Sequence, residues 1–208
     1  LTDILLGPNG CPWDQEQTFE SLRKSVVEEV YELVEAVDEG CRQKILEELG
    51  DLAFNFIFFC KLGEKEGAFS TEDVLKAIYE KLVRRHPHVF GEAKISTTTE
   101  LIEQWERIKS QEKGNRKRKS LLDGIPKDLP SLAKAQKMLK KFDKVGEEPS
   151  LITEDPELAF GSKLFEFIRE AQAEGIDAEA AFRHFLQKKE HAFRKNEDKL
   201  STKTPSPS

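Results

Sequence analysis

Two stretches of the chain share one pattern of apolar and acidic positions. Val26-Val27-Glu28-Glu29-Val30-Tyr31-Glu32-Leu33-Val34 and Ile45-Leu46-Glu47-Glu48-Leu49-Gly50-Asp51-Leu52-Ala53 both read apolar, apolar, acid, acid, apolar, any, acid, apolar, apolar. At about 100° per residue the apolar positions of each gather in one helical stripe. The first stretch predicts a helix from about Thr18 to Glu39, closed by Gly40. The second predicts a helix from about Gln43 to Leu62, closed by Gly63. Beyond Asp51 that helix is apolar almost all round, with Phe54, Phe56, Ile57, Phe58 and Phe59. A helix apolar on every side is buried on every side. One small domain cannot cover so much, so part of it is expected to form a subunit interface. Ser70-Thr71-Glu72-Asp73 starts a third helix that reaches about Arg85 before Pro87 interrupts it. A Ser/Thr-rich loop, Ser96 to Thr99, precedes a fourth helix that holds Trp105.

Glu29 and Glu32 sit one turn apart, just off one edge of the first stripe. Glu48 and Asp51 take the same two places beside the second. If the stripes lie as antiparallel neighbours, four carboxylates converge at the border of one core, and they repel unless a cation sits among them. Oxygen-only ligands favour hard cations such as Mg2+ or Mn2+ over zinc or copper. Neither helix holds Glu-x-x-His, so the di-iron carboxylate pattern is not met.

Glu28-Glu29-x-x-Glu32 followed by Glu48-x-x-Asp51 resembles the metal motif of MazG-type nucleoside triphosphate pyrophosphohydrolases. The flanks agree: Gly10-Cys11-Pro12-Trp13-Asp14 before it, Arg84-Arg85-His86-Pro87-His88-Val89-Phe90 after it, then Trp105-Glu106-x-x-Lys109. The resemblance covers about half the chain. It implies an all-α helical bundle that uses Mg2+, with Mn2+ as a substitute, to cleave nucleoside triphosphates to monophosphate and pyrophosphate by attack at the α-phosphorus. Residue by residue, the implied metal ligands are Glu29, Glu32, Glu48 and Asp51. Glu28 and Glu32 are the candidates for the general base.

Lys81 and Arg85 stand at i and i+4, with Arg84 beside them, and are expected to hold the β- and γ-phosphates. Lys109 is a further candidate of that kind. Trp105 is expected to stack on the base and Trp13 to be packed inside. Asn55, one turn beyond Asp51, is expected to orient a ligand or a water. His86 and His88 flank a proline and read as turn residues. A house-cleaning role against surplus or non-standard nucleotides is what the family suggests. The rivals are a narrower dUTP or dCTP pyrophosphatase, and a non-catalytic, metal-stabilised helical dimer acting as regulator or scaffold.

Composition narrows the partners. The 208 residues carry a net charge of −6, and 35% are charged, which speaks against nucleic acid as a general partner. The apolar run from Leu52 to Cys60 is too short for a bilayer, and no targeting segment is visible. Cys11, Cys41 and Cys60 show no metal-ligand spacing, and an odd count points to reduced thiols in a cytoplasm. The expected assembly is a homodimer or higher oligomer.

The expected organisation is a catalytic domain over 1–112, a basic and Pro-containing linker over 113–130, a second helical domain over 131–200 and a disordered tail over 201–208. The second domain reads as a shorter, degenerate repeat of the first. Gly161-Ser162-Lys163-Leu164-Phe165-Glu166-Phe167-Ile168 lies over Gly50 to Ile57, but Ser162 stands for Asp51 and Ala159 for Glu48. Lys188 matches Lys81, whereas His191 and Ala192 replace Arg84 and Arg85. No Glu-Glu-x-x-Glu helix precedes it, so it is expected to bind no metal.

Overall fold

In the computed structural model, which describes residues 1–112 and 118–201, the fold is all-α, and no strand occurs among the described residues. Residues 113–117, most of the basic run, and 202–208 of the expected tail lie outside them. The chain divides into two compact units, Leu1–Ser110 and Gln111–Ser208.

The first unit is built on two long helices, α3 (Phe19–Asp38) and α4 (Arg42–Lys65). Thr18 starts α3: its Oγ1 accepts from the Ser21 N–H at 3.2 Å, while Ser21 Oγ accepts from the Thr18 N–H at 2.9 Å. Gly40, at φ 68°, turns the chain between the helices in a backbone state that side chains disfavour. The two helices pack along their length. Leu22, Phe58 and Leu62 form the buried core, with Leu6, Phe19, Phe54 and Phe59 against it. Cys60 is buried as a packing residue, and all three cysteines are free thiols.

The segment before α3 is partly helical. It holds two one-turn helices, α1 (Thr2–Leu5) and α2 (Pro12–Gln15), and α1 rests on α4. Gln15 Nε2 donates to the Gly7 carbonyl at 2.6 Å, closing the segment on itself. Trp13 is 60% exposed, so it does not serve as core.

Helix α4 does not stop at Gly63 but continues to Lys65, and the chain turns at Gly67, φ 66°. Gly63 is small for a different reason: a Cβ there would meet the Phe69 ring at 2.4 Å. Two further helices follow, α5 (Thr71–Arg85) and the one-turn α6 (Pro87–Phe90), with α5 lying on α4. The His86 and His88 rings stand 5.5 Å apart between them. Helix α7 (Thr98–Gln111) completes this part of the chain.

Glu64 joins α4 to the start of α5. It accepts from the Thr71 N–H at 3.0 Å and the Thr71 hydroxyl at 2.8 Å, and pairs with Lys61 at 2.8 Å. Lys61 also reaches Asp3 at 3.0 Å. These donors, Lys61 first, pull the Glu64 carboxyl down to about 2. A depressed folded-state value adds stability above the unfolded glutamate pKa, about 4.3, and that stability disappears as pH falls toward 2. Glu64→Gln should therefore flatten the fall of Tm between about pH 4 and pH 2. An acid limb of unchanged slope in a thermal melt series would show that Glu64 has no part in it.

The second unit opens with a short 3-10 helix, Leu121–Gly124, lying on α8 (Ser131–Val145). Residues expected as linker thus belong to this fold, capped by Ser120 Oγ accepting from the Leu122 N–H at 3.1 Å. Helices α9 (Pro156–Ala173) and α10 (Ala178–Ser201) follow. Ala135, Leu139 and Ile168 are its buried core. Among the described residues no helix is long and apolar enough to cross a membrane.

Candidate active site and metal centre

The antiparallel seam of α3 and α4 is centred on Gly40, so residues equally far from it along the chain face one another. Leu22 and Phe58 make the innermost rung, within the core. Ser25 and Asn55 make the next: Ser25 Oγ donates to Asn55 Oδ1 at 3.5 Å. Glu29 and Asp51 follow one turn on, then Glu32 and Glu48. A core rung and a polar rung therefore lead into two rungs of acids.

The acids are close. One carboxylate oxygen each from Glu29, Glu48 and Asp51 lies within 4.8 Å of the others. Glu32 stands beside them, near enough for its charge to act on both Glu29 and Glu48. Desolvation raises Glu29 above the ordinary glutamate value, and the charges of Asp51, Glu32 and Glu48 raise it further. Desolvation likewise raises Glu48, followed by the charges of Glu32, Glu47 and Asp51. Like charges held together in this way fit a hard divalent cation, since only oxygen donors are present and each gains from a positive neighbour.

The remaining predicted residues are distributed unevenly. Glu28 is exposed and pairs with Lys24 at 3.3 Å on its own helix. Asn55 is only 5% exposed, and its Nδ2 donates to the Asp51 carbonyl at 3.2 Å. The first residue of α5, Thr71, is bonded to Glu64 of α4, and α5 packs on α4. Thirteen residues separate Thr71 from Arg84. At about 1.5 Å per residue, Arg84 lies about 20 Å along α5 from its start. Lys81 and Arg85 flank it on the last turns of α5.

Trp105 and Lys109 lie on α7, which makes no substantial contact with α3, α4 or α5. Trp105 is 46% exposed, and Lys109 pairs with Glu106 at 3.7 Å. A cavity of about 360 Å3 beside them is lined by Lys94, Ile95, Glu100, Glu103, Gln104 and Arg107, with neither Trp105 nor Lys109 in its wall. Two larger cavities, about 610 and 660 Å3, lie in the second unit, and the acidic seam lines neither. Ser25 escaped the sequence reading. Its signal was its distance from Gly40, equal to that of Asn55.

Comparison with known proteins bears on the same seam. The family model for the MazG nucleotide pyrophosphohydrolase domain matches residues 17–90, the span of α3, α4 and α5. The Nucleoside triphosphate pyrophosphohydrolase/pyrophosphatase MazG of Thermotoga maritima is 36% identical over 217 aligned positions, covering 95% of this chain and 83% of that protein. This chain belongs to the MazG family. The Nucleoside triphosphate pyrophosphohydrolase of Escherichia coli (strain K12) is 41% identical over 138 residues, 66% of this MazG chain and 52% of its own length. Uncharacterized protein YabN of Bacillus subtilis is 49% identical over 136 residues, 65% of the chain and 28% of YabN. The MazG chain described here thus spans about half of the E. coli relative and under a third of YabN.

Proposed function

We propose that the chain hydrolyses nucleoside triphosphates to nucleoside monophosphate and pyrophosphate at the α3–α4 seam, with Mg2+ as cofactor and Mn2+ as a substitute. The convergence of Glu29, Glu48 and Asp51 carries this reading. The names of the T. maritima and E. coli relatives supply the reaction class. A divalent cation held there would supply Lewis acidity and neutralise a polyphosphate.

The side chains divide the remaining work. Glu29, Glu48 and Asp51 are the cation ligands, with Glu32 completing the set from its rim. Glu32 also takes the proton from the attacking water, because Glu28 is engaged by Lys24. Lys81, Arg84 and Arg85, on the last turns of α5, hold the β- and γ-phosphates. Trp105 stacks on the base without reading it, and Lys109 adds charge from the same helix. The setting is a cytoplasm, and the role is removal of surplus or non-standard nucleotides.

A panel of nucleoside triphosphates, assayed for pyrophosphate release with Mg2+ and with chelator, tests the reading. Pyrophosphate release across several bases, lost on chelation, is the expected result. Turnover confined to dUTP or dCTP would select the narrower enzyme. Cation binding without turnover of any nucleotide would select the non-catalytic scaffold.

The second unit is proposed to be the degenerate repeat. Ala159 and Ser162 on α9 carry no charge, and no helix lies between Gly146 and Asp155. A chain ending at residue 112 should keep its turnover, with some loss of Tm, while residues 121–208 should neither bind Mg2+ nor release pyrophosphate. Hydrolysis by residues 121–208 alone would move the active site to the other unit.

A further inference from the structure

The rung between the dry core and the acids is polar, and the proposed chemistry leaves it without a role. Asn55 is among the few buried polar residues of the chain, alongside Thr2 and Asp14. Its amide is turned inward. Nδ2 donates to the carbonyl of Asp51 at 3.2 Å, and Oδ1 receives the Ser25 hydroxyl of α3 at 3.5 Å. On α3, Ser25 stands four residues before Glu29 and on the same face. On α4, Asn55 stands four after Asp51. The rung therefore ties together the two helices one turn from the Glu29–Asp51 rung, about 5.4 Å away.

We propose that Asn55, with Ser25, is a positioning residue that fixes the register of α3 against α4 for cation binding, and that it does not touch the nucleotide. This rests on the metal-site reading of the seam. Its physical basis is the asymmetry of the neighbouring rungs. The acid rungs repel and cannot set their own spacing. The Leu22–Phe58 rung attracts, but apolar contact is non-directional and tolerates sliding. A buried amide spanning the seam is directional, and moving it leaves its acceptor and donors unsatisfied. The bond to the Asp51 carbonyl holds the amide against the residue whose carboxylate joins the cluster. Partners one step behind metal ligands commonly change metal affinity by about 10- to 100-fold when removed.

The test measures Mn2+ binding directly, by calorimetry on the full chain, for the wild type, Asn55→Leu, Ser25→Ala and the double variant. Mn2+ binding by the wild type is the first arm, and its absence would remove the metal-site reading itself. With that arm positive, Asn55→Leu should weaken Mn2+ by about tenfold or more and Ser25→Ala by less. The double variant should be no worse than Asn55→Leu, because that change already removes the Ser25–Asn55 bond. Turnover at saturating Mn2+ should return with the KM for nucleotide unchanged. A raised KM at saturating Mn2+ would make Asn55 a substrate contact and overturn the proposal. Unaltered Mn2+ affinity in a variant of lower Tm would leave only a structural role and overturn it too. Ser25→Ala removes a single hydroxyl from a half-buried position, so it decides the question even where Asn55→Leu does not fold.

Discussion

Asp51→Asn should abolish Mg2+-dependent turnover at every cation concentration while helical content, read by circular dichroism, stays at the wild-type level. The swap keeps the size of the side chain and removes one of the three charges whose oxygens lie within 4.8 Å of one another. A hard cation binds by that charge, so the loss should exceed the about 10- to 100-fold typical of outer partners. Glu32→Gln should behave differently. The residue stands beside the cluster, so Mn2+ binding should weaken less than in Asp51→Asn, while kcat falls by about 10²- to 10⁴-fold if it carries the proton. Thermal stability separates the two roles from misfolding. Desolvation first, and the neighbouring carboxylates after it, raise Glu29 and Glu48, which means that these groups stabilise the fold below the ordinary glutamate value and lose that contribution as pH rises through their folded values. Removing the Asp51 charge relieves the repulsion, so the cation-free variant should melt higher than cation-free wild type near neutral pH. Full turnover in Asp51→Asn would exclude the seam as the site.

Phe56→Glu should convert a dimer to a monomer, read by sedimentation of the full chain. The chain buries Phe58, Cys60 and Leu62 of α4 but leaves Leu46, Leu49, Phe56 and Ile57 substantially exposed, Phe56 at 40% and Ile57 at 39%. Val27, Val30 and Tyr31 of α3 are exposed too. Apolar surface of this extent on two adjacent helices is what the expected dimer would cover. A charge placed in the middle of it should raise the dissociation constant by about 30-fold or more, the equivalent of an aromatic hot spot of about 2 kcal/mol. Val30 and Leu49 of this surface adjoin Glu29 and Glu48 in the chain, so loss of the dimer should lower turnover as well. A wild-type chain that sediments as a monomer at micromolar concentration would show that the face stays open to water.

Much of this was legible in the chain because it is local. The apolar stripe from Val26 to Val37 needed only its own period to reveal α3, and the Thr18 and Ser70 starts needed only the next three residues. The acids of the seam were legible because two cassettes repeat about a glycine turn. The end of α4 was not. Gly63 looks like a stop, yet it is small to admit the Phe69 ring, and that contact exists only once the chain has folded back. The one-turn helices before Phe19 are too short to show a period. Trp13 was misjudged because an aromatic residue beside a proline carries no sign of which way it faces. Lys109 and Trp105 matched a motif, but their relation to the seam depends on how α7 lies, which no local pattern encodes.

The helix laid against α9 decides what acids placed on the second unit would meet. α8 is that helix, and it presents Lys134, Lys137, Lys140, Lys141 and Lys144 with Asp143 as its single acid. Changing Ala159 and Ser162 to acids would place two carboxylates on α9 with no acidic helix to face them and with the lysine-rich α8 as the neighbour. Such acids would find lysines to pair with, and a pair already neutralised has little left to offer a cation. One substitution supplies one acid, whereas a facing acidic helix would need new chain inserted into a folded unit. On the proposal that this half is a degenerate repeat, point changes on its surface therefore leave its chemistry where it is.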